Sequence, residues 1–90
     1  MAEADLAEAA QYYDEQQSGL GRDFLDAVRV ATAAIQRNPE LWAFYEKPVR
    51  AYRVQPFAYR LFYRELPDRI QIVAVAHVSR RPGYWKTRIT

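Results

Sequence analysis

Apolar residues recur at three- and four-residue spacing through the first 38 positions, and alternation takes over in the second half. Leu6, Ala9, Ala10 and Tyr13 form one such stripe, with Glu3, Asp5, Glu8, Asp14 and Glu15 mostly off it, so residues 2–17 are expected to be a helix with its carboxylates in water. Alanines at 2, 4, 7, 9 and 10 add helical propensity. Ser18-Gly19-Leu20-Gly21 breaks the pattern, and Ser18 is placed to cap a second helix. That helix carries Phe24, Val28, Ala31 and Ile35 on one face and should stop near Asn38, because Pro39 disfavours a helical residue before it. A short turn between two such helices predicts an antiparallel helical hairpin.

Beyond Pro39 the chain changes character. Ten of the 13 aromatic residues lie past residue 40. Residues 40–48, with Trp42, Phe44, Tyr45 and Pro48, look like an irregular connection carrying aromatic anchors. Three strands are expected after it: Val49–Gln55, stopped by Pro56; Ala58–Glu65, with Tyr59, Leu61 and Tyr63 on one face and Arg60, Phe62 and Arg64 on the other; and Ile70–Val78. The last is apolar on both faces, Ile70, Ile72, Ala74 and Ala76 against Val73 and Val75, as a doubly covered central strand would be. Leu66-Pro67-Asp68-Arg69 is a tight turn, and short turns favour an antiparallel meander. Helices followed by antiparallel strands give an α+β domain, here one domain over residues 1–90: a helical hairpin packed on a sheet of three or more strands.

Composition narrows the chemistry. With 90 residues and no cysteine, disulfide scaffolds and zinc-thiolate sites are excluded, and one histidine builds no histidine metal cage. No apolar run approaches the roughly 18 residues of a membrane span, and the acidic start is unlike a signal peptide. The expectation is a soluble, cytoplasmic protein with no metal, no cofactor and no membrane partner. The formal charge of +2 conceals a division: residues 1–28 hold seven acids and one base, residues 29–90 twelve bases and four acids. Such asymmetry points to nucleic acid or an acidic partner, or to an acidic helix folded on a basic sheet.

The basic residues are the candidates for chemistry. Arg50 and Arg53 fall on the first expected strand, Arg60 and Arg64 on the second, and Arg80, Arg81, Lys86 and Arg88 follow the third. A meander can gather these into one cationic surface that holds a phosphodiester by charge and forked hydrogen bonds, with Tyr or Trp stacking a base. The same residues also suit a solvated sheet face. His77, the only histidine, suits general acid–base work or the plain closing of a strand end. Trp85 reads as a packing anchor, and Tyr84 as either anchor or stacking platform.

The ordered blocks Ala4-Asp5-Leu6 with Tyr12-Tyr13, Gly19-Leu20-Gly21 with Phe24-Leu25, and Asn38-Pro39 resemble the first half of the RelE/ParE toxin superfamily, also called plasmid-stabilisation proteins. Val49-Arg50, the strand Tyr59-Arg60-Leu61-Phe62-Tyr63-Arg64, and Ile72-Val73-Ala74-Val75-Ala76-His77 leading to Arg80-Arg81-Pro82 and Trp85 continue the resemblance over nearly the whole chain. It implies a growth-arresting toxin of a type II toxin–antitoxin system, partnered by a cognate antitoxin that wraps it. RelE-type members are metal-independent endoribonucleases that cleave messenger RNA on the ribosome; ParE-type members inhibit DNA gyrase without catalysis, and an inactive member would only bind antitoxin. In the ribonuclease reading, Arg60, Arg80, His77 and Tyr84 are the expected catalytic residues, and Arg53, Arg50, Arg64 and Arg81 hold RNA phosphate. Family members open with a short strand before the first helix; here the sequence enters the helix at once, so that strand is expected to be missing.

Overall fold

The computed structural model describes residues 2–80 and 85–89. Two helices, α1 (Ala2–Gln16) and α2 (Leu20–Arg37), precede four strands, β1 (Phe44–Glu46), β2 (Val49–Arg53), β3 (Tyr59–Glu65) and β4 (Ile70–His77), and a 3₁₀ turn covers Lys86–Arg88. The strands form one antiparallel sheet in the order β1-β2-β3-β4. This is the expected α+β hairpin-on-sheet architecture, and among the described residues no strand lies ahead of α1.

The hairpin follows its apolar stripes. Ala9, Phe24, Val28, Ala31 and Ile35 are buried against Val54, Leu61, Tyr63 and Val75 of the sheet region. Rings of Tyr13, Phe24, Phe57 and Tyr59 meet edge-on or tilted with centroids 4.8–5.7 Å apart, the geometry that aligns ring edges with π faces. The start of α2 differs from expectation. Ser18 does not cap it; Gly19 does, at φ 91°, and its side-chain partner comes from the preceding helix. Asp14 Oδ1 accepts from Gly19 N at 3.1 Å and from Gly21 N at 3.0 Å, so one carboxylate satisfies two orphan N–H groups at a helix N-terminus. Gly21 is required there: a Cβ would lie 2.5 Å from Ala10 O, so the helices approach closely only because position 21 has no side chain.

Three corrections concern the second half. The segment expected to be irregular contains β1, which pairs with β2 through Phe44↔Arg50 and Glu46↔Val49. The strand expected at the centre, β4, stands at one end of the order. Its faces also differ from strict alternation: Phe62↔Ala74 is followed by Tyr63↔Ile72, leaving Val73 as an extra residue. This bulge sends Ile70, Ile72 and Val75 to the helix side, and Val73, Ala74 and Ala76 to the opposite side.

That opposite side holds a second, smaller core of Val49, Phe62, Val73, Ala74, Ala76 and Trp85. Trp85 is 1 % exposed and packs against Phe62 with ring centroids 5.8 Å apart, the anchor expected of it. Two ion pairs hold the segment that carries it: Lys86 Nζ to Glu46 Oε1 at 3.1 Å, and Arg88 Nη1 to Asp5 Oδ2 at 2.7 Å. Asp5 was expected in solvent with the other α1 carboxylates, yet it is buried.

Candidate functional site

Register decides which arginines meet. Arg53 of β2 is the direct partner of Arg60 of β3, and Arg60 in turn faces Ala76 of β4. All three point away from the helices, as does Arg64, four residues along β3 from Arg60. Two cations directly opposite on neighbouring strands repel, so the pair favours an anion bridging them. Arg60 is oriented by aromatic faces: its guanidinium carbon lies 5.3 Å from the Tyr45 centroid and 5.3 Å from that of Phe62, and its Nε is buried with no hydrogen-bond partner among the described residues. Arg53 is exposed, its Nε donating to Phe57 O at 3.3 Å. Arg64 Nε donates to Gln71 Oε1 at 2.7 Å, which holds it on the sheet surface.

The other expected residues lie elsewhere. Arg50 is on the helix side, where Nη1 donates to Trp42 O at 2.6 Å and Glu40 O at 3.3 Å, Nε lies 3.6 Å from Glu65, and the guanidinium sits 3.8 Å over Phe44. These contacts tie the connection after α2 to the sheet. His77 also lies on the helix side, opposite Tyr59 across the ladder, with ring centroids 5.4 Å apart. Ser79 N–H donates to its Nδ1 at 3.1 Å, which places the proton of the neutral ring on Nε2, and Ser79 Oγ lies 2.7 Å from the same nitrogen. Arg80 is exposed and lines a cavity of about 160 Å³ with His77, Tyr12, Tyr59 and Glu8. Arg81 and Tyr84 lie outside the described residues.

The structure therefore divides the expected site. Arg53, Arg60 and Arg64 share the face away from the helices, with Tyr45 and Phe62 beside Arg60; His77 and Arg80 share the end of the helix-side face with Tyr59. Sequence reasoning missed Tyr45 as part of the cationic face, because β1 has no periodic signal of its own. Burial raises the pKa of Tyr13, Tyr59 and Tyr63 above the ordinary value of 10.0, so all three are neutral hydroxyls at physiological pH. The Tyr63 hydroxyl donates to Pro39 O at 2.7 Å, a structural use.

Residues 1–82 match the family model of the ParE toxin of type II toxin–antitoxin system, parDE. The chain belongs to that family. A comparison with curated proteins gives no match. A type II toxin is paired with an antitoxin, and this toxin accordingly has an antitoxin as a partner. Among the described residues no helix is long and apolar enough to cross a membrane.

Proposed function

We infer that this ParE-family toxin acts by binding DNA gyrase rather than by cutting RNA, with the Arg53–Arg60–Tyr45 face as its contact with the target. The observation that carries this reading is the placement of His77 on the opposite side of the sheet from Arg60. Cleavage by an attacking ribose hydroxyl needs a phosphate-holding cation and a proton carrier within hydrogen-bond reach of the same phosphate. His77 is separated from the Arg53–Arg60 pair by the sheet and is turned toward Tyr59 and Ser79. A binding face needs no such pairing; it needs aromatic and arginine anchors at its centre, which Tyr45, Phe62 and Arg60 provide. The match to the ParE family supports the same reading. The test is induction of the toxin without antitoxin: DNA-damage signalling and loss of supercoiling by purified gyrase are expected, and intact gyrase activity at a growth-arresting dose overturns the reading.

A messenger-RNA ribonuclease is the second reading, favoured by one feature: Arg53 and Arg60 as direct register partners are spaced to hold a single phosphate. In that case Tyr84, not His77, carries the proton. Transcript mapping in the same arrested cells separates the two, since new 5′ ends within codons arise only from cleavage.

A further inference from the structure

Strand β1 is three exposed residues, yet it aims one of the rings of the cationic face. Its ladder with β2 is irregular: Phe44 stands opposite Arg50 and Glu46 opposite Val49, so Tyr45 is the extra residue of a bulge. Residues paired across a ladder share a face. Phe44 therefore lies with Arg50 on the helix side, and Glu46 with Val49 on the other. Tyr45 joins Glu46 there, its ring meeting Phe62 edge-on at a centroid distance of 5.4 Å. The bulge thus puts two consecutive side chains on one face, where strict alternation would send one of them to the helix side. The Arg60 guanidinium carbon lies 5.3 Å from each of the Tyr45 and Phe62 centroids, so the aim of Tyr45 sets what Arg60 packs against.

The bulge is gripped from the far side of the sheet. Arg50 Nη1 donates to Trp42 O at 2.6 Å and to Glu40 O at 3.3 Å, and its guanidinium carbon sits 3.8 Å over the Phe44 ring. The next residue, Ala51, donates its N–H to Ala43 O at 3.3 Å. Residues 40–44 are thus fastened to β2 immediately before the chain turns Tyr45 to the opposite face. The Arg50 side chain is only 13 % exposed, and its Nε lies 3.6 Å from Glu65, which fixes the orientation of the guanidinium itself. On the arginine face the ion pair of Glu46 with Lys86 also reaches β1, but both side chains are about half exposed, and such pairs contribute little.

We propose that Arg50 is a positioning residue: from the helix side of the sheet it holds the β1 bulge so that Tyr45, and through it the Arg60 guanidinium, face the target, a role that rests on reading the Arg53–Arg60–Tyr45 face as the contact with gyrase. Arg50 lies outside that surface, and its effect on binding passes through Tyr45. Lysine is a poor substitute at this position, because a single ammonium does not lie flat on Phe44 while bridging two carbonyls.

The test uses the purified full chain, with Arg50→Met, Arg50→Lys, Tyr45→Ala and the Arg50→Met Tyr45→Ala double variant beside the parent. Nuclear Overhauser contacts between the Tyr45 and Phe62 rings, and the ring-current shift of the Arg60 Nε–H, report the geometry of the free toxin. Titration onto purified DNA gyrase reports binding. Arg50→Met should lose the ring contacts and bind gyrase about tenfold more weakly, and Arg50→Lys should do the same to a smaller degree. The double variant should bind no more weakly than Tyr45→Ala, because the two changes remove one contact. Tyr63→Phe, which cuts another tie of the same connection, should keep both the ring contacts and parent binding. Should Arg50→Met not fold, Arg50→Lys decides by the same readouts. A folded Arg50 variant that keeps the ring contacts overturns the proposal, as does a double variant whose losses multiply. A Tyr63→Phe chain that behaves like Arg50→Met overturns it as well, and so does parent-like binding by Arg50→Met where Tyr45→Ala binds weakly. Loss of folding in both Arg50 variants has the same force, since Arg50 would then hold the fold and not the face. If Arg50→Met loses the ring contacts while neither it nor Tyr45→Ala weakens gyrase binding, the positioning stands and the gyrase reading falls.

Discussion

The two faces of the sheet are built from different parts of the sequence and carry different loads. The helix-covered face takes its partners from residues 6–35, adjacent in sequence and periodic, and packs four aromatic rings into one cluster. The opposite face takes its cover from Trp85 and the turn after it, held by two ion pairs, and shares its surface with Arg53, Arg60 and Arg64. The larger apolar core therefore lies under the helices, and the arginines lie on the face with the smaller one. A small domain is stabilised by only about 5–15 kcal/mol, so the loss of either core is a large share of the total.

The comparison can be broken hardest from the helix side. Phe24 is fully buried among three other aromatic rings, and Phe24→Ala should cost about 4 kcal/mol, measured by urea denaturation, a large share of the whole stability of a small domain. Trp85→Ala should cost about 3 kcal/mol, because it empties the smaller core while the helical hairpin keeps its packing. Near-native helical circular dichroism with lost protection at Phe62 and Val73 would be its signature. Tyr63→Phe removes the hydroxyl that donates to Pro39 O, and should cost about 1–2 kcal/mol in the same assay.

The pH dependence sharpens the same contrast. Burial raises the pKa of Tyr13, Tyr59 and Tyr63 in the folded state, so above the unfolded value of 10.0 the folded chain binds more protons than the unfolded one. The tyrosine contribution is thus fully present below pH 10 and lost as pH rises through the folded values. Alkaline denaturation should begin on the helix-covered face, to which all three side chains belong, and a Tyr59→Phe chain should lose less stability between neutrality and strong alkali. The smallest structural effect is expected from Arg60→Ala. Its weak contacts with Tyr45 and Phe62 are worth about 1 kcal/mol, yet growth arrest should be abolished; a folded Arg60→Ala chain with full toxicity would remove the cationic face from the contact.

Local periodicity made much of this architecture legible. The stripes Leu6–Tyr13 and Phe24–Ile35, and the alternation of Tyr59, Leu61 and Tyr63, each name a buried face without reference to anything distant. What escaped was set by distant partners. Strand β1 is three exposed residues between prolines, and only its ladder with Arg50 makes it a strand. The faces of β4 depend on the bulge at Val73, which no alternation pattern reveals. Asp5 looks like any other carboxylate on an acidic helix until Arg88, 83 positions away, is folded against it. The candidate site divides in the same way: Arg60 and Arg64 share a face by period alone, whereas Arg53 joins them only through the register set by the turn at 54–58. Separation of His77 from Arg60 likewise follows from strand parity once the ladder is fixed.

The span of the Asp5–Arg88 contact carries a consequence for synthesis. A nascent chain can form its helical hairpin, and then its meander, as each segment clears the ribosome, because those contacts are close in sequence. Asp5 is made 83 residues before Arg88, so β4 is made before the contact between them can form.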